Sequence, residues 1–110
     1  MKQLIIITTL LISGILIGQT NYEKGMQKAF ELWGSNQPTE ASNLFERIAK
    51  AEPDNWLPAY YAAQINVINS FGERNEDKLS AKLKRAQDLI NDATAISKEN
   101  PEIMVLQALL

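Results

Sequence analysis

The hydrophobic positions of this chain fall into two different patterns. An apolar run extends from Leu4 to Ile17, whereas after Thr20 the apolar residues recur every three or four positions. That recurrence is the period of an α-helix that buries one side. No useful length of the chain alternates with the period of two that is typical of a β-strand. The pattern therefore predicts an all-α domain preceded by a separate apolar segment.

Four helices are predicted from apolar stripes that end at helix breakers. Their predicted extents are Asn21 to Trp33, Pro38 to Ala51, Trp56 to about Phe71, and Glu76 to the stop at Asn100. Proline is favoured in the first turn of a helix, which needs no backbone donor, and it ends a helix that precedes it. Asp54 and Asn55 are both suitable caps for the third helix. Glu46 and Lys50, four residues apart, are predicted to pair on the outer side of the second helix.

The apolar segment at the N-terminus has the features of an export signal. Lys2 provides a positive charge ahead of the run from Leu4 to Ile17, and the run is shorter than the roughly 20 residues of a membrane-spanning helix. Small side chains favour cleavage after Thr20, or alternatively after Gly18. We therefore predict a signal peptide over residues 1–20 and export to the periplasm or the medium. The alternative is an uncleaved membrane anchor.

Residues 21–110 are predicted to form one small domain. The chain has 11 Lys and Arg against 13 Asp and Glu, so its charge does not favour nucleic acid or anionic lipid. It has no Cys, and the disulfides that stabilise many small exported domains cannot form. Stability is therefore expected to come from helix packing or from a partner.

The residue types also argue against catalysis. The chain has no His and no Cys, which removes the usual general base, the thiol nucleophile and the preferred zinc ligands. Asp88 and Asp92 lie one helical turn apart, but Lys84 and Arg85 share that region and a solvated helix face is expected. We predict a protein that is not an enzyme and that holds no metal or cofactor.

A short sequence occurs twice in the domain. The segment from Ile48 to Asp54 is matched, 48 residues later, by the segment from Ile96 to Glu102. Each copy ends a helix with Ile, a small residue and Lys, stops it with Pro, and continues with an acid. Two helices per repeat is the layout of an α-solenoid.

The residues around the first copy resemble a known repeat family. Ala41, Phe45 and Pro53 resemble the second half of a tetratricopeptide repeat. The resemblance implies antiparallel helix pairs that form a groove for a peptide or an extended segment of another protein. Three features depart from the family. The 48-residue spacing exceeds the usual repeat of about 34. After Pro53 the family's Trp and Tyr slots hold Ala59 and Asn66, and the second copy has Leu89 and Ala93 in the slots of a small residue and an aromatic.

The resemblance also implies which residues contact the partner. Tyr60 and Gln64 of the third helix would point into the groove, and Phe30 and Trp33 of the first helix would lie near it. We predict partner contact for these four, although a stripe at helical spacing is also how a core packs. Tyr60 and Tyr61 are about 100° apart around a helix, so one of them is expected to be buried.

The last residues form an apolar segment. From Ile103 to Leu110 the chain begins another helix, apolar nearly all round and without a cap. Repeat arrays need a terminal unit with a polar outer face. The expectation is either that the chain is part of a longer repeat protein or that this helix docks on a partner. The leading function is an exported protein-binding scaffold, and the alternative is a structural protein that self-associates through this helix.

Overall fold

The helices predicted from the apolar pattern are present in the structure. A computed structural model describes residues 21–110 of the protein, and the predicted export signal at residues 1–20 lies outside them. Within the described residues the backbone forms five helices and no β-strand, which confirms the all-α prediction. The helices are α1 (21–34), α2 (Pro38–Ala51), α3 (Leu57–Ser70), α4 (Glu76–Ile96) and α5 (Pro101–Ala108).

Side chains in the connectors explain where the later helices begin. The side-chain oxygens of Asn75 and Asn100 each accept a hydrogen bond, at 3.0 Å, from a backbone N–H in the first turn of α4 and α5. The side-chain oxygen of Asn55 accepts one from the backbone N–H of Leu57 at 3.1 Å. The cap position of α3 is occupied by Trp56, so Asn55 lies one residue before it and its prediction as the cap is wrong by one position. These contacts satisfy donors that the first turn of a helix leaves free.

The turn between α1 and α2 depends on one asparagine. Asn36 has a φ of 62°, a left-handed conformation that asparagine tolerates better than most residues. The next residue, Gln37, donates its backbone N–H to the carbonyl of Leu32 at 2.9 Å. This is the closing hydrogen bond of a Schellman motif, and it satisfies a carbonyl at the end of α1.

Helix α3 packs against both α2 and α4, and the core forms on these two sides. The small side chains of Ala59, Ala62 and Ala63 are buried there, and small residues allow neighbouring helices to approach closely. Phe45 of α2 is the largest fully buried side chain. The other buried apolar residues are Met26, Ala29, Ala41, Ile65, Val67, Ala86, Leu89, Ile90, Ala93, Ile103 and Leu106.

An ion pair joins the two helices that flank α3. Glu46 of α2 pairs with Arg85 of α4. The predicted pairing of Glu46 with Lys50, one turn later in α2, is therefore wrong. The carboxylate of Glu46 pairs with Arg85 instead. The physical reason is that the packing of α2 and α4 on one helix brings a second cation to Glu46 from a distant part of the chain.

Replacing the central aromatic of the core tests this packing. We expect Phe45→Ala to lower the free energy of unfolding by about 3–5 kcal/mol, because it removes the apolar contacts of a fully buried ring and leaves a cavity. Phe71→Ala is the matched control, since Phe71 is exposed and its loss should change the stability by no more than about 0.5 kcal/mol. Urea unfolding followed by circular dichroism measures both. Equal losses in the two variants would contradict this account of the core.

Candidate functional site

Aromatic side chains meet where α1, α2 and the start of α3 come together. The ring of Phe45 lies 5.1 Å from that of Phe30 and 5.5 Å from that of Tyr61, measured between centroids. Phe30 and Tyr61 contact each other edge to face at 4.8 Å. Tyr60 and Trp56 continue the group, with centroid distances of 5.3 Å from Tyr60 to each of Tyr61 and Trp56. We call these five residues the aromatic cluster.

The two adjacent tyrosines contact each other but differ in their other partners. Tyr61 faces Phe30 and Phe45, whereas Tyr60 contacts Trp56, four residues earlier. Both tyrosines are half-buried, so the expectation that one of them is buried is wrong. The helix rotates by about 100° per residue, so the two rings point to either side of the edge of the core. Each ring is therefore only partly covered.

The four residues predicted to contact a partner lie on α1 and α3. Phe30 is 41% exposed, and Trp33, Tyr60 and Gln64 are half-buried. Phe30 and Tyr60 both belong to the aromatic cluster and are joined through Tyr61. In the described part of the chain, Trp33 and Gln64 form no aromatic contact or side-chain hydrogen bond with the cluster. Their role in partner contact stays a prediction.

Two exposed apolar side chains continue this surface along α3. Ile68 is 44% exposed and Phe71 is 67% exposed. They follow Tyr60 and Gln64 at helical spacing and therefore share a face with them. We call Tyr60, Gln64, Ile68 and Phe71 the α3 strip. Sequence reasoning did not assign Ile68, Phe71 or Trp56 to the site, although the spacing of the first two carried the signal.

The pKa values of two tyrosines, Tyr22 and Tyr60, are raised. The hydroxyl of Tyr22 accepts a hydrogen bond from the side-chain amide of Asn55 at 2.7 Å. Burial raises the pKa of Tyr22, and the carboxylate of Glu52 raises it further against the opposing effect of the Asn55 hydrogen bond. Burial also raises the pKa of Tyr60, with an added contribution from Glu102 in the first turn of α5. Burial and a carboxylate therefore both raise the pKa of Tyr22 and of Tyr60 and favour the neutral phenol.

A shallow cleft lies between α2 and α4, with side chains of α3 at its base. It holds about 300 Å³, and its two cations are Lys82 and Arg85. Both are already paired, Lys82 with Glu73 at 3.0 Å and Arg85 with Glu46. The hydrogen bond from Lys82 lowers the pKa of Glu73. An anionic ligand would have to break one of these pairs, which makes this cleft a poor anion site.

Two aspartates of α4, Asp88 and Asp92, lie on its surface. Asp88 is exposed and lies 3.8 Å from Lys84, as an ordinary pair on a helix surface does. Asp92 is also exposed. Within residues 21–110 no three acidic side chains converge as metal ligands would. The aromatic cluster and the α3 strip are therefore the surface with the strongest claim to a function.

The chain has no match among protein-family models, curated proteins or solved structures. Among residues 21–110, none of the helices combines the length and the hydropathy needed to cross a bilayer.

The titration of Tyr60 tests whether the carboxylate of Glu102 in α5 raises its pKa. We expect Glu102→Gln to lower the pKa of Tyr60, while leaving it above the usual value because burial is the larger cause. A raised tyrosine pKa favours the neutral phenol in the folded state, so the stability it contributes is present below the unfolded pKa and is lost as the pH rises through the folded pKa. NMR titration of ¹³C-labelled tyrosine measures the shift.

Glu76→Gln is the control for this titration, because Glu76 occupies the first turn of α4 as Glu102 occupies that of α5. It should leave the pKa of Tyr60 unchanged. An unchanged pKa in Glu102→Gln as well would mean that α5 does not lie beside Tyr60.

Proposed function

We propose that this protein is an exported, non-catalytic interaction module that binds an extended segment of another protein along α1 and α3. The observation that carries the proposal is the surface formed by the aromatic cluster and the α3 strip. Exposed apolar side chains are common singly, but a contiguous group of them is typical of a binding site. Aromatic residues are also enriched among those that contribute most to binding energy.

The contacts of α1 support a tetratricopeptide-like arrangement. A side chain at Gly25 would lie 3.2 Å from Ile48, while Phe30 contacts Phe45. A later residue of α1 therefore contacts an earlier residue of α2, which is the arrangement of an antiparallel helix pair. Ala41 and Phe45 are both fully buried, which is the role that the family motif gives to its small residue and its aromatic.

The next two helices support a second pair. Ala59 of α3 lines an outer cleft together with Asp92 of α4, and Ile65 lines the adjacent cleft with Lys82. A later residue of α3 therefore lies beside an earlier residue of α4, as in an antiparallel pair. α4 has 21 residues and α2 has 14. The greater length of α4 explains part of the difference between the 48-residue spacing in this chain and the roughly 34 residues of the family's repeat. We propose an α-solenoid on this basis.

A binding role is also consistent with the chemistry of the chain. It has no His and no Cys, and its clefts are shallow, whereas enzyme sites are usually deep and lined by convergent polar groups. Export is proposed from Lys2 and the apolar run between Leu4 and Ile17. The bound segment would then come from a protein that is itself outside the cytoplasm or exposed there.

Removing two side chains of the α3 strip tests the binding role. We expect the double variant Tyr60→Ala, Gln64→Ala to lose at least about tenfold in affinity for partners captured by the wild-type chain, because half-buried aromatics in a binding surface contribute strongly. Quantitative pulldown followed by titration of the recovered partner measures the loss.

The matched control is Lys84→Ala, Asp88→Ala, which changes two exposed residues of α4 away from the strip. It should bind like the wild type, and both double variants should keep the wild-type circular dichroism spectrum. Unchanged capture of every partner by the Tyr60 and Gln64 variant would rule out the strip as the binding surface.

A second candidate function is self-association through α5. Ile103 and Leu106 of this helix are buried, but Met104, Val105 and Leu109 are exposed. The side-chain amides of Gln87 and Gln107 join α4 to α5 at 2.7 and 2.9 Å. A second copy could cover the exposed side of α5, and the protein would then act as a structural, oligomerising unit.

Sedimentation separates the two functions. If α5 forms a dimer, we expect Val105→Ser, Leu109→Ser to weaken it by about a hundredfold, because two apolar side chains per copy lose their burial. Leu106 is not a suitable position, since it is 3% exposed and a polar side chain there would damage the fold. A wild-type chain that sediments as a monomer at high micromolar concentration would exclude this function.

A further inference from the structure

The shallow cleft between α2 and α4 brings polar side chains from three helices together. Residues of α3, among them Asn66 and Asn69, form its base, and residues of α2, among them Ser42 and Asn43, form one side. α4 contributes the other side. The volume of about 300 Å³ lies at the lower end of the range of small-molecule sites. We call this space the amide cleft, after Asn43, Asn66 and Asn69.

The cations of the amide cleft are already paired. Arg85 of α4 pairs with Glu46 of α2, and Lys82 pairs with Glu73 at 3.0 Å. A charged ligand would have to displace one of these partners before it could form an ion pair of its own. The groups that remain free to bind are neutral, which favours a neutral ligand.

One amide of the cleft is held in a fixed orientation. The side-chain nitrogen of Asn66 donates to the hydroxyl of Ser42 at 3.0 Å and to the backbone carbonyl of Ala62 at 2.8 Å. Ser42 is itself buried, with 6% of its surface exposed. An asparagine side chain has two N–H donors, so Asn66 has none left and offers its carbonyl oxygen as an acceptor. The base of the cleft therefore carries a preorganised acceptor.

The other two amides have no partner within residues 21–110. Neither Asn43 nor Asn69 takes part in any of the side-chain hydrogen bonds of this part of the chain. None of its buried side-chain nitrogens or oxygens lacks a partner. The oxygen of Asn66 and the amide of the half-buried Asn69 therefore reach solvent, and Asn43 is exposed. A free amide presents a donor and an acceptor side by side.

An ion pair closes the cleft at one end. A neighbouring cleft of about 170 Å³, lined by Lys50 and Asp92, shares only Glu46 and Arg85 with the amide cleft. These two residues form the pair that joins α2 to α4, so the pair separates the two spaces. An extended peptide that continued along α3 would have to cross this pair, whereas a compact molecule fits on one side of it.

We propose that the amide cleft binds the ring of a neutral sugar. Neighbouring hydroxyls of a sugar each donate and accept, so two of them match the donor and the acceptor of one amide. Pro38 and Ile65 also line the cleft and offer apolar contact to the C–H groups of the ring. Among the described residues no aromatic side chain lines it. The affinity is therefore expected to be weak, with a Kd of about 1–10 mM.

NMR titration of the ¹⁵N-labelled protein, as the cell exports it, tests this assignment. The neutral probes are glucose, galactose and mannose, which differ in the orientation of single hydroxyls. We expect at least one of them to shift the side-chain amide signals of Asn43 and Asn69 with a Kd of about 1–10 mM. Glucosamine and glucuronate, which add a positive or a negative charge to the same ring, should bind no more tightly than glucose.

A blocked amino acid separates a sugar from a peptide main chain. N-acetylalanine methylamide carries the donors and acceptors of a peptide but has no hydroxyl. It should leave the signals of Asn43 and Asn69 unchanged at the concentrations at which the best neutral sugar saturates them.

Two substitutions connect the binding to the free amides. Asn43→Ala and Asn69→Ala should each weaken the best neutral sugar by about three- to tenfold, which corresponds to the loss of one or two neutral hydrogen bonds. Gln27→Ala is the control, because it removes an exposed amide of α1 that does not line the cleft. It should bind the sugar as the wild type does. Unchanged backbone signals of the buried core residues show that each variant is folded.

Several results would overturn the sugar assignment. They are the absence of shifts with all three neutral sugars up to about 100 mM, tighter binding of a charged sugar or of the blocked amino acid, and an unchanged affinity in both asparagine variants. Each of these results would leave the proposed binding of a protein segment intact, because the amide cleft shares no residue with the aromatic cluster or the α3 strip.

Discussion

The packing of α3 between α2 and α4 is the constraint on which the rest of the structure depends. Ala59, Ala62 and Ala63 are buried on α3, and their small size lets the neighbouring helices approach closely. Because two sides of α3 are occupied in this way, its remaining face carries the half-buried and exposed residues of the α3 strip. Core packing and the candidate binding surface are therefore two consequences of one arrangement.

Phe45 connects stability to the proposed function. Its ring is fully buried, yet it supports Phe30 and Tyr61, which reach the surface. Aromatic pairs of this kind contribute about 0.5–1.5 kcal/mol each beyond the burial of their area. A domain of this size without a Cys has few other means of holding a binding surface rigid. Rings held by a buried ring lose less freedom when a partner binds, which favours affinity.

Much of the fold could be predicted because local chemistry decides it. The prolines and asparagines between helices act within a few residues, so Pro38 marks the start of α2 in the sequence as in the structure, and the predicted stop at Asn100 falls in the connector between α4 and α5. The contacts of the site were harder to predict. Tyr60 and Tyr61 are equivalent as a sequence pair, and their half-burial follows from where the edge of the core falls. The pairing of Glu46 with Arg85 joins residues that are distant along the chain.

The sequence by itself determined the helix class, the helix bounds to within a few residues and the absence of thiol and imidazole chemistry, because these follow from periodicity, turn chemistry and residue types. Only the tertiary structure decided which side of each helix remains uncovered. It paired Glu46 with Arg85 and left Ile68 and Phe71 exposed. The physical reason is that an apolar stripe in the sequence indicates which residues are favoured in a core. The number and position of the neighbouring helices then decide which of those residues are buried.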